Sequence, residues 1–150
     1  MKYSTRGYAI ECLNDGTAQK VDYVKMGRPV LRIPNIGCCG FIDSADLKYA
    51  ELPSGEYEQL RLKIGDILLI RSNGSVQLVC RSAIVRKGEE GFAYAGYLIR
   101  LRTDSKRAHS PYLNLAISSS FVRDQIEMPI RSTSGVNNIN GNEVRGLIIP

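Results

Sequence analysis

The sequence predicts an α+β domain built on a twisted, mainly antiparallel sheet or a partly closed barrel. Three features indicate this class. Apolar, β-branched segments outnumber helical patterns along the chain. Short polar turns join several of these segments, which favours hairpins over βαβ units. A few short helices are expected besides one longer helix, at about residues 110–127, where apolar residues recur at helical spacing.

The chain has the size and composition of one globular domain. It contains 150 residues, of which 43% are hydrophobic and 23% are charged, and both fractions are ordinary for a folded protein. No internal repeat or low-complexity segment divides the chain. We therefore predict a single domain over residues 1–150.

The first third of the chain predicts short strands separated by polar loops. Pro34 interrupts the second strand, and a glycine-rich loop around Cys38 and Cys39 follows it. The predicted elements are strands at 8–13 and 29–33, a turn at 14–17, a helical turn at 43–49 and a short helix at 54–62. Glu56 and Glu58 suit the positive end of that short helix.

Residues 65–84 predict a rigid hairpin with a polar tip. Gly65 and Asp66 precede an apolar strand at 67–70, and residues 71–75 read Arg-Ser-Asn-Gly-Ser. A second strand is predicted at 76–80, and Gly74 permits a positive φ in the tight turn. Further strands are predicted at 82–86 and 92–102.

The longer helix has a clear predicted start and end. Ser110 is expected to cap it, Pro111 suits its first position, and the helix is expected to end before Pro129. The residues predicted to form its core-facing stripe are Tyr112, Leu115, Ser119, Val122 and Ile126. A polar loop at 131–138 follows, then a capping pair of Asn140 and Glu143, and a last strand at 147–149.

Charge and cysteine usage narrow the class of protein. The net charge of +5 is compatible with a nucleic-acid partner, and the cations are scattered rather than run together. Four cysteines lack zinc-ligand spacing, and His109 is the single histidine. No signal peptide or membrane-length apolar run is present. We predict a cytoplasmic protein with reduced thiols, no metal, no cofactor and no membrane partner.

The sequence contains no recognisable catalytic constellation. It lacks an Asp/Asn-Pro-Pro-Tyr/Phe box, a glycine-rich cofactor strand and an Asp with a Glu-x-Lys pair. Glu56, Glu58 and Asp66 have no histidine partner. We therefore predict a non-catalytic reader of DNA sequence. A fragment of a DNA-modifying enzyme and a protein-binding module, such as an antirestriction or scaffold element, remain the alternatives.

Polar loops carry the residues predicted to contact DNA. Arginine and amide side chains can pair with base edges, and exposed cations contact phosphates. The candidates are Arg71, Ser72, Asn73 and Ser75 in the hairpin tip, Lys106 and Arg107 before the long helix, and Arg131, Ser132, Thr133, Ser134, Asn137 and Asn138 in the later loop. Asn73 could instead serve only its own turn. Arg28 and Arg32 are weaker candidates, His109 is expected at the surface, and Tyr94 and Tyr97 are expected in the core or on a sheet face.

The order of these blocks resembles one target recognition domain of a type I restriction-modification specificity subunit. The resemblance covers nearly the whole chain and depends on the order and spacing of its motifs. Its segments are IECLNDGT at 10–17, GRPVLRIPNI at 27–36, GDILL at 65–69, RSAIV at 81–85, YLIRLR at 97–102, the helix at 112–126 and residues 137–150.

The resemblance implies a function in DNA restriction and DNA methylation. In that family each subunit holds two such domains, joined to long paired helices, and each domain reads half of a split double-stranded DNA target. The methyltransferase (M) and restriction (R) subunits supply the catalysis. The helical spacer expected after residue 150 is absent from this sequence. We accordingly interpret the chain as an excised domain, a truncated gene product or a half-subunit.

Overall fold

The computed structural model describes residues 10–131 and 137–150, without the side chains of residues 10–13, 130 and 131. Strands and short helices alternate along this part of the chain. The strands are β1 (Ile10–Asp15), β2 (Arg28–Leu31), β3 (Lys48–Ala50), β4 (Ile67–Ile70), β5 (Ser72–Asn73), β6 (Ser82–Ile84), β7 (Ala93–Tyr94), β8 (Leu98–Thr103) and β9 (Asn137–Asn138). The α-helices are α1 (Ser54–Leu60), α2 (Ser110–Ile117), α3 (Ser120–Arg131) and α4 (Gly141–Gly146).

The largest sheet contains four antiparallel strands in the order β1-β8-β4-β6. Strand β4 pairs with β6 on one side and with β8 on the other, and all four of its residues are buried. Alternate residues of β4 enter two different clusters, because successive side chains of a strand point to opposite faces. This explains why the β4 sequence is continuously apolar.

The two faces of the central sheet carry separate hydrophobic cores. Helices α2, α3 and α4 cover one face, where Ile67 and Leu69 pack among residues such as Ile117, Val122 and Val144. The other face packs against the smaller sheet β3-β2-β7, where Leu68 and Ile70 meet residues such as Val30, Leu31 and Tyr94. The α+β class with a mainly antiparallel sheet is confirmed, and the described sheets do not close into a barrel.

The predicted strand at 76–80 is wrong. Val76–Leu78 form a 3-10 turn, and the strand that returns along β4 is β6. Cys80 has a φ of 62°, a left-handed conformation that a strand cannot contain. Arg123 of α3 donates hydrogen bonds to the carbonyls of Val76, Gln77 and Val79. A side chain thus satisfies carbonyls that a strand partner would otherwise bind.

The strand predicted at 92–102 is divided between two sheets. Strand β7 pairs with β2 in the smaller sheet, whereas β8 pairs with β1 and β4 in the central sheet. The division falls at Gly96, whose amide donates to the Thr17 carbonyl at 2.7 Å. A Cβ at Gly96 would lie 3.3 Å from that carbonyl oxygen, so a glycine permits this close approach of two backbones.

The predicted long helix is two helices. Helix α2 ends at Ile117 and α3 begins at Ser120. The hydroxyls of Ser118 and Ser119 donate to the carbonyls of Asn114 and Ala116, so they compete with the helical hydrogen bonds at the break. Helix α3 also continues through Pro129 to Arg131, where a proline near the helix end removes few hydrogen bonds.

The break changes which residues face the core. Val122 and Ile126 are buried as predicted, but Tyr112 and Leu115 are exposed. Leu113 and Ile117 take their place in the core. Ser110 does not cap α2 as predicted, because it is the first helical residue and His109 occupies the cap position. Pro111 is accordingly the second helical residue, and the Ser110 hydroxyl bonds with that of Thr103.

Smaller departures from the prediction occur at both ends of the chain. Asn14 and Asp15 belong to β1 rather than to a turn, residues 43–47 contain no helix, and α1 ends at Leu60. Residues 147–149 form no strand, since the Gln125 side chain pairs with both backbone groups of Ile148. The capping pair of Asn140 and Glu143 is confirmed at the start of α4.

Candidate nucleic-acid interface

Two candidate segments distant in sequence form one surface. Strands β5 and β9 pair antiparallel, with Ser72 opposite Asn138 and Asn73 opposite Asn137. The side-chain amide of Asn137 (Nδ2) also donates to the carbonyl of Gly74, 63 residues away in sequence. We call the group of Arg71, Ser72, Asn73, Tyr97, Asn137 and Asn138 the tip surface.

Arg71 is fixed on this surface through its backbone. Its amide donates to the carbonyl of Tyr97 at 2.8 Å, and its carbonyl accepts from the amide of Ile139 at 2.9 Å. Its guanidinium Nη1 lies 3.0 Å from the Asp15 carboxylate, and the two side chains are 37% and 57% exposed. The arginine is therefore held in position yet open to solvent.

The amide side chains of the tip surface differ in how much of their hydrogen-bonding capacity is used. Asn73 Oδ1 accepts from the amide of Ser75 at 2.9 Å, so Asn73 does serve its own turn. Asn137 Nδ2 donates to Gly74. Asn138 is exposed, and within the described residues its side chain makes no hydrogen bond. Gly74 does not use the positive φ that a glycine permits in a tight turn.

Tyr97 is an unpredicted member of this surface. The sequence placed it in the core or on a sheet face, but 65% of it is exposed, whereas Tyr94 is fully buried as predicted. It stands between two cavities. One, of about 370 Å³, is lined by Arg71, Ser72, Gly96, Tyr97 and Asn138. The other, of about 610 Å³, includes Lys20, Arg32 and Tyr97 in its lining.

A glycine contact holds the Tyr97 turn in place. A Cβ at Gly16 would lie 2.2 Å from the Ala95 carbonyl oxygen and 2.3 Å from that of Tyr94. Thr17 extends this contact, because its amide donates to the Tyr94 carbonyl and it accepts from Gly96. The exposed tyrosine therefore projects from closely packed backbone rather than from a loose loop.

The weaker candidates are held by their neighbours. Arg32 forms an ion pair with Asp46 at 2.9 Å and is 18% exposed at its side chain. The guanidinium of Arg28 lies 4.5 Å from the centre of the Tyr57 ring. Arg32 shares the larger cavity with Lys20, whereas the packing of Arg28 against Tyr57 gives it a structural role.

The basic turn, Lys106 to His109, lies away from the tip surface. Tyr97 precedes β8 and Asp104 follows it, so the two regions are separated by roughly 20 Å, the length of a six-residue strand. Asp104 accepts a hydrogen bond from the Lys106 amide and pairs with Arg107 at 3.4 Å. The structure thus joins the residues after β4 to Asn137 and Asn138 of the later loop and leaves this turn at the opposite end of the sheet.

The cysteines with described side chains are an exposed neighbouring pair and one buried thiol. The thiols of Cys38 and Cys39 lie 3.6 Å apart at the surface, and the hydrogen bond to Cys38 raises the pKa of Cys39. Burial raises the pKa of Cys80 to about 12, against the opposing charge of Arg123. In the described part of the chain, no three His, Cys, Asp or Glu side chains are grouped to hold a metal ion. None of the described helices is long and apolar enough to cross a lipid bilayer.

Comparison with known proteins gives a consistent relationship. The chain is 28% identical over 138 residues to the type I restriction enzyme EcoKI specificity subunit of Escherichia coli (strain K12). The match covers 91% of this chain and 29% of that subunit. The chain is also 30% identical over 97 residues to the type I restriction enzyme StySPI specificity subunit of Salmonella potsdam. That match covers 65% of this chain and 21% of the subunit. The chain is thus similar to type I restriction enzyme specificity subunits over most of its length.

The fold comparison agrees with that relationship. A chain from a solved structure of the type I R-M system matches 82% of this chain with a TM-score of 0.61 and 19% identity, over 31% of its own length. At that identity the match establishes the fold. No protein-family model matches the sequence. The chain spans less than a third of each of these type I proteins.

Part of the predicted interface lies outside the residues that the structure describes. Ser132, Thr133 and Ser134 lie outside the described residues, as does the side chain of Arg131, the last residue of α3. The structure therefore leaves their contact with DNA a prediction.

Tyr97 of the tip surface was missing from the sequence-based candidates, as were Asp15, which pairs with Arg71, and Lys20, which lines the larger cavity beside Tyr97. For Tyr97 a signal was available. A glycine inside a strand pattern often marks a break or a close backbone approach, and Gly96 directly precedes Tyr97. For Asp15 and Lys20 no local pattern distinguishes them from other surface charges.

Proposed function

We propose that this chain reads a short double-stranded DNA sequence as one target recognition domain of a type I restriction-modification system. The observation that carries the proposal is the pairing of β5 with β9 beside Arg71. It places three asparagines on a paired backbone next to an arginine, at one end of the central sheet. Homology over 91% of the chain to a specificity subunit supports the same function.

The tip surface suits the edges of bases. Arginine can donate two hydrogen bonds to guanine, and asparagine can pair with adenine. A two-stranded ribbon fits the major groove, which is about 12 Å wide. Asn138 keeps its whole amide available at the solvent face of such a ribbon, whereas Asn73 and Asn137 have each committed one side-chain atom to the turn.

The basic turn suits the phosphate backbone. Contacts to phosphates position a protein on the duplex, whereas contacts to base edges specify its sequence. A separation of roughly 20 Å corresponds to about six base pairs at 3.4 Å each. Lys106 can therefore contact the backbone some distance from the bases that the tip surface reads.

In this proposal the chain has no catalytic role of its own. Methyltransferase (M) and restriction (R) subunits would supply the chemistry, and the cytoplasm is the compartment in which we expect the complex. Because both curated relatives are specificity subunits, neither the modifying-enzyme fragment nor the protein-binding module gains support.

A salt titration tests DNA binding directly. The affinity of the purified chain for a labelled duplex of 25–30 base pairs would be measured by fluorescence anisotropy between 50 and 200 mM salt. We expect weak binding, because a single small module buries only about 600–1,000 Å² on DNA. We also expect a steep fall with salt, because neutralised phosphates release counterions. A flat response would overturn the proposal.

A further inference from the structure

We infer that Arg71 selects a guanine rather than contacting a phosphate, and that Asp15 is the positioning residue that makes it selective. The inference rests on the proposed function and assigns one base to one side chain. It also gives a role to an acidic residue that a DNA-binding surface would otherwise be expected to avoid.

The backbone of Arg71 is held from both sides. Its amide and carbonyl bond with Tyr97 and Ile139, which belong to different parts of the chain. The preceding residue, Ile70, is 1% exposed and pairs with Leu98 of β8. Reading the edge of a DNA base requires a rigidly held backbone of this kind, because a bidentate contact tolerates little displacement.

Asp15 is equally well fixed. It is the last residue of β1 and stands opposite Ile99 in the ladder with β8. The next residue, Gly16, packs directly on the carbonyls of Tyr94 and Ala95. The carboxylate therefore approaches Arg71 from the central sheet, and it engages Nη1 at 3.0 Å.

The ion pair leaves enough donors for a guanine. A guanidinium has five N–H groups in a planar fork, and guanine offers two acceptors, O6 and N7. With one N–H directed at Asp15, the other donors remain for the base. The carboxylate also restricts rotation of the long arginine side chain, so less entropy is lost when the base is bound.

Charge favours a base over a phosphate at this position. A phosphate that approached Arg71 would bring a full negative charge close to the Asp15 carboxylate, and the two would repel. Guanine O6 and N7 are neutral acceptors and carry no such penalty. Lys106 offers the contrast, since within the described residues its ammonium group has no acidic partner.

The surroundings of Arg71 have room for a base edge. The cavity of about 370 Å³ beside it is bounded by Ser72, Gly96, Tyr97 and Asn138. Gly96 contributes no side chain to this wall, and the exposed Tyr97 offers an apolar ring on one side. The site is therefore open along Arg71 and polar at Asn138.

Sequence selection tests the inference. The full 150-residue chain would be incubated with a random duplex library at low salt, and bound duplexes would be sequenced. We expect a motif with a guanine at one position. Arg71→Ala should reduce that preference about tenfold or more, the discrimination of a good bidentate contact. Arg71→Lys should restore it only in part, because lysine lacks the planar fork.

Asp15→Asn tests whether Asp15 acts in recognition, because a purely structural role for this residue would not change the guanine preference. We expect a weaker guanine preference together with stronger non-specific binding, because a negative charge has been removed from the surface. Lys106→Ala is the contrasting variant, because it removes a proposed phosphate contact: it should weaken binding overall and keep the guanine preference. The thermal midpoint of each variant confirms that it folds, and both Asp15 and Arg71 are exposed enough to tolerate substitution.

The outcomes separate this inference from the proposed function. If Arg71→Ala keeps the motif and only reduces the salt dependence, Arg71 contacts a phosphate and the inference is overturned while DNA reading stands. A motif without guanine at the Arg71-dependent position overturns it too. Loss of salt-dependent binding in the wild-type chain overturns the proposed function itself.

Discussion

At one end of β8, Arg71 and Asp15 form an ion pair in solvent, and at the other end the largely covered Arg102 pairs with the buried carboxylate of Asp66. Arg102 Nη2 lies 2.7 Å from Asp66 Oδ2, and the Asp66 side chain is 1% exposed. The Asp66 carboxylate also accepts from the Lys63 amide and from Arg102 Nε. An arginine–aspartate pair is thus largely shielded from solvent at one end of the sheet and exposed to solvent at the other.

The difference shows where the molecule uses charge for folding and where it leaves charge for binding. A buried pair is costly to break, because removing one partner leaves the other charge uncompensated. An exposed pair contributes little to stability, with a median near 0–1 kcal/mol. The Arg71–Asp15 pair is therefore not needed to hold the fold, which leaves it free to act in recognition.

Asp66→Asn should have the largest effect on stability. We expect a loss of about 3 kcal/mol in the free energy of unfolding, because Arg102 would lose its buried partner. Urea denaturation followed by circular dichroism measures this loss. Asp15→Asn is the control at the other end and should cost less than about 1 kcal/mol. Equal losses would contradict the distinction between the two ends.

Gly16→Ala should damage the end that carries the tip surface. The new Cβ would meet backbone oxygens at 2.2 and 2.3 Å, and backbone cannot rotate away as a side chain can. We expect a cost of about 2 kcal/mol, typical of overpacking, and weaker DNA binding. Gly74→Ala is the control, since no atom of the described residues lies within 4 Å of its Cβ position. Its unfolding midpoint should stay close to that of the wild type.

Alkaline pH should destabilise the folded protein at Cys80, which is hydrogen-bonded to Ile70, the residue before Arg71. The Cys80 amide donates to the carbonyl of Ile70, and the pKa of its thiol is raised from 9.0 to about 12 by burial. In the unfolded chain the thiol ionises above pH 9, whereas in the folded chain it stays protonated. Stability from this group is therefore complete below pH 9 and falls as pH rises towards 12, by up to about 1.4 kcal/mol per pH unit.

Cys80→Ala isolates this contribution from other groups that titrate at alkaline pH. The unfolding free energies of wild type and variant would be compared at pH 8, 9 and 10. The difference between them should shrink as the pH rises, because only the wild type loses the protonated thiol. A constant difference would show that Cys80 does not titrate as its burial requires.

The basic turn should contribute the smallest effect. Lys106→Ala is expected to make the slope of log affinity against log salt less negative by about 0.9, the value for one phosphate contact. Stability should be unchanged, because this side chain is exposed. Anisotropy titrations at several salt concentrations measure the slope. An unchanged slope would remove Lys106 from the DNA-binding surface.

Local signals in the sequence correctly predicted several parts of the fold. The apolar run of β4, the polar segment after it, the start of α2 at Ser110 and the cap at Asn140 all depend on residues close together in the chain. Such features follow from hydrophobic periodicity and short-range hydrogen bonds, which neighbouring residues largely decide. The polar residues of the hairpin tip were predicted for the same reason.

Tertiary structure decided how those parts combine. Nothing local indicates that Asn137 and Asn138 pair with residues 72 and 73, that Asp15 reaches Arg71, or that Arg123 replaces a strand partner for residues 76–79. Each contact joins segments tens of residues apart and forms only after the central sheet has fixed both backbones. The sequence by itself determined which residue types lie near the surface, while packing of the two cores decided which of them meet, because long-range pairing depends on the whole arrangement of strands.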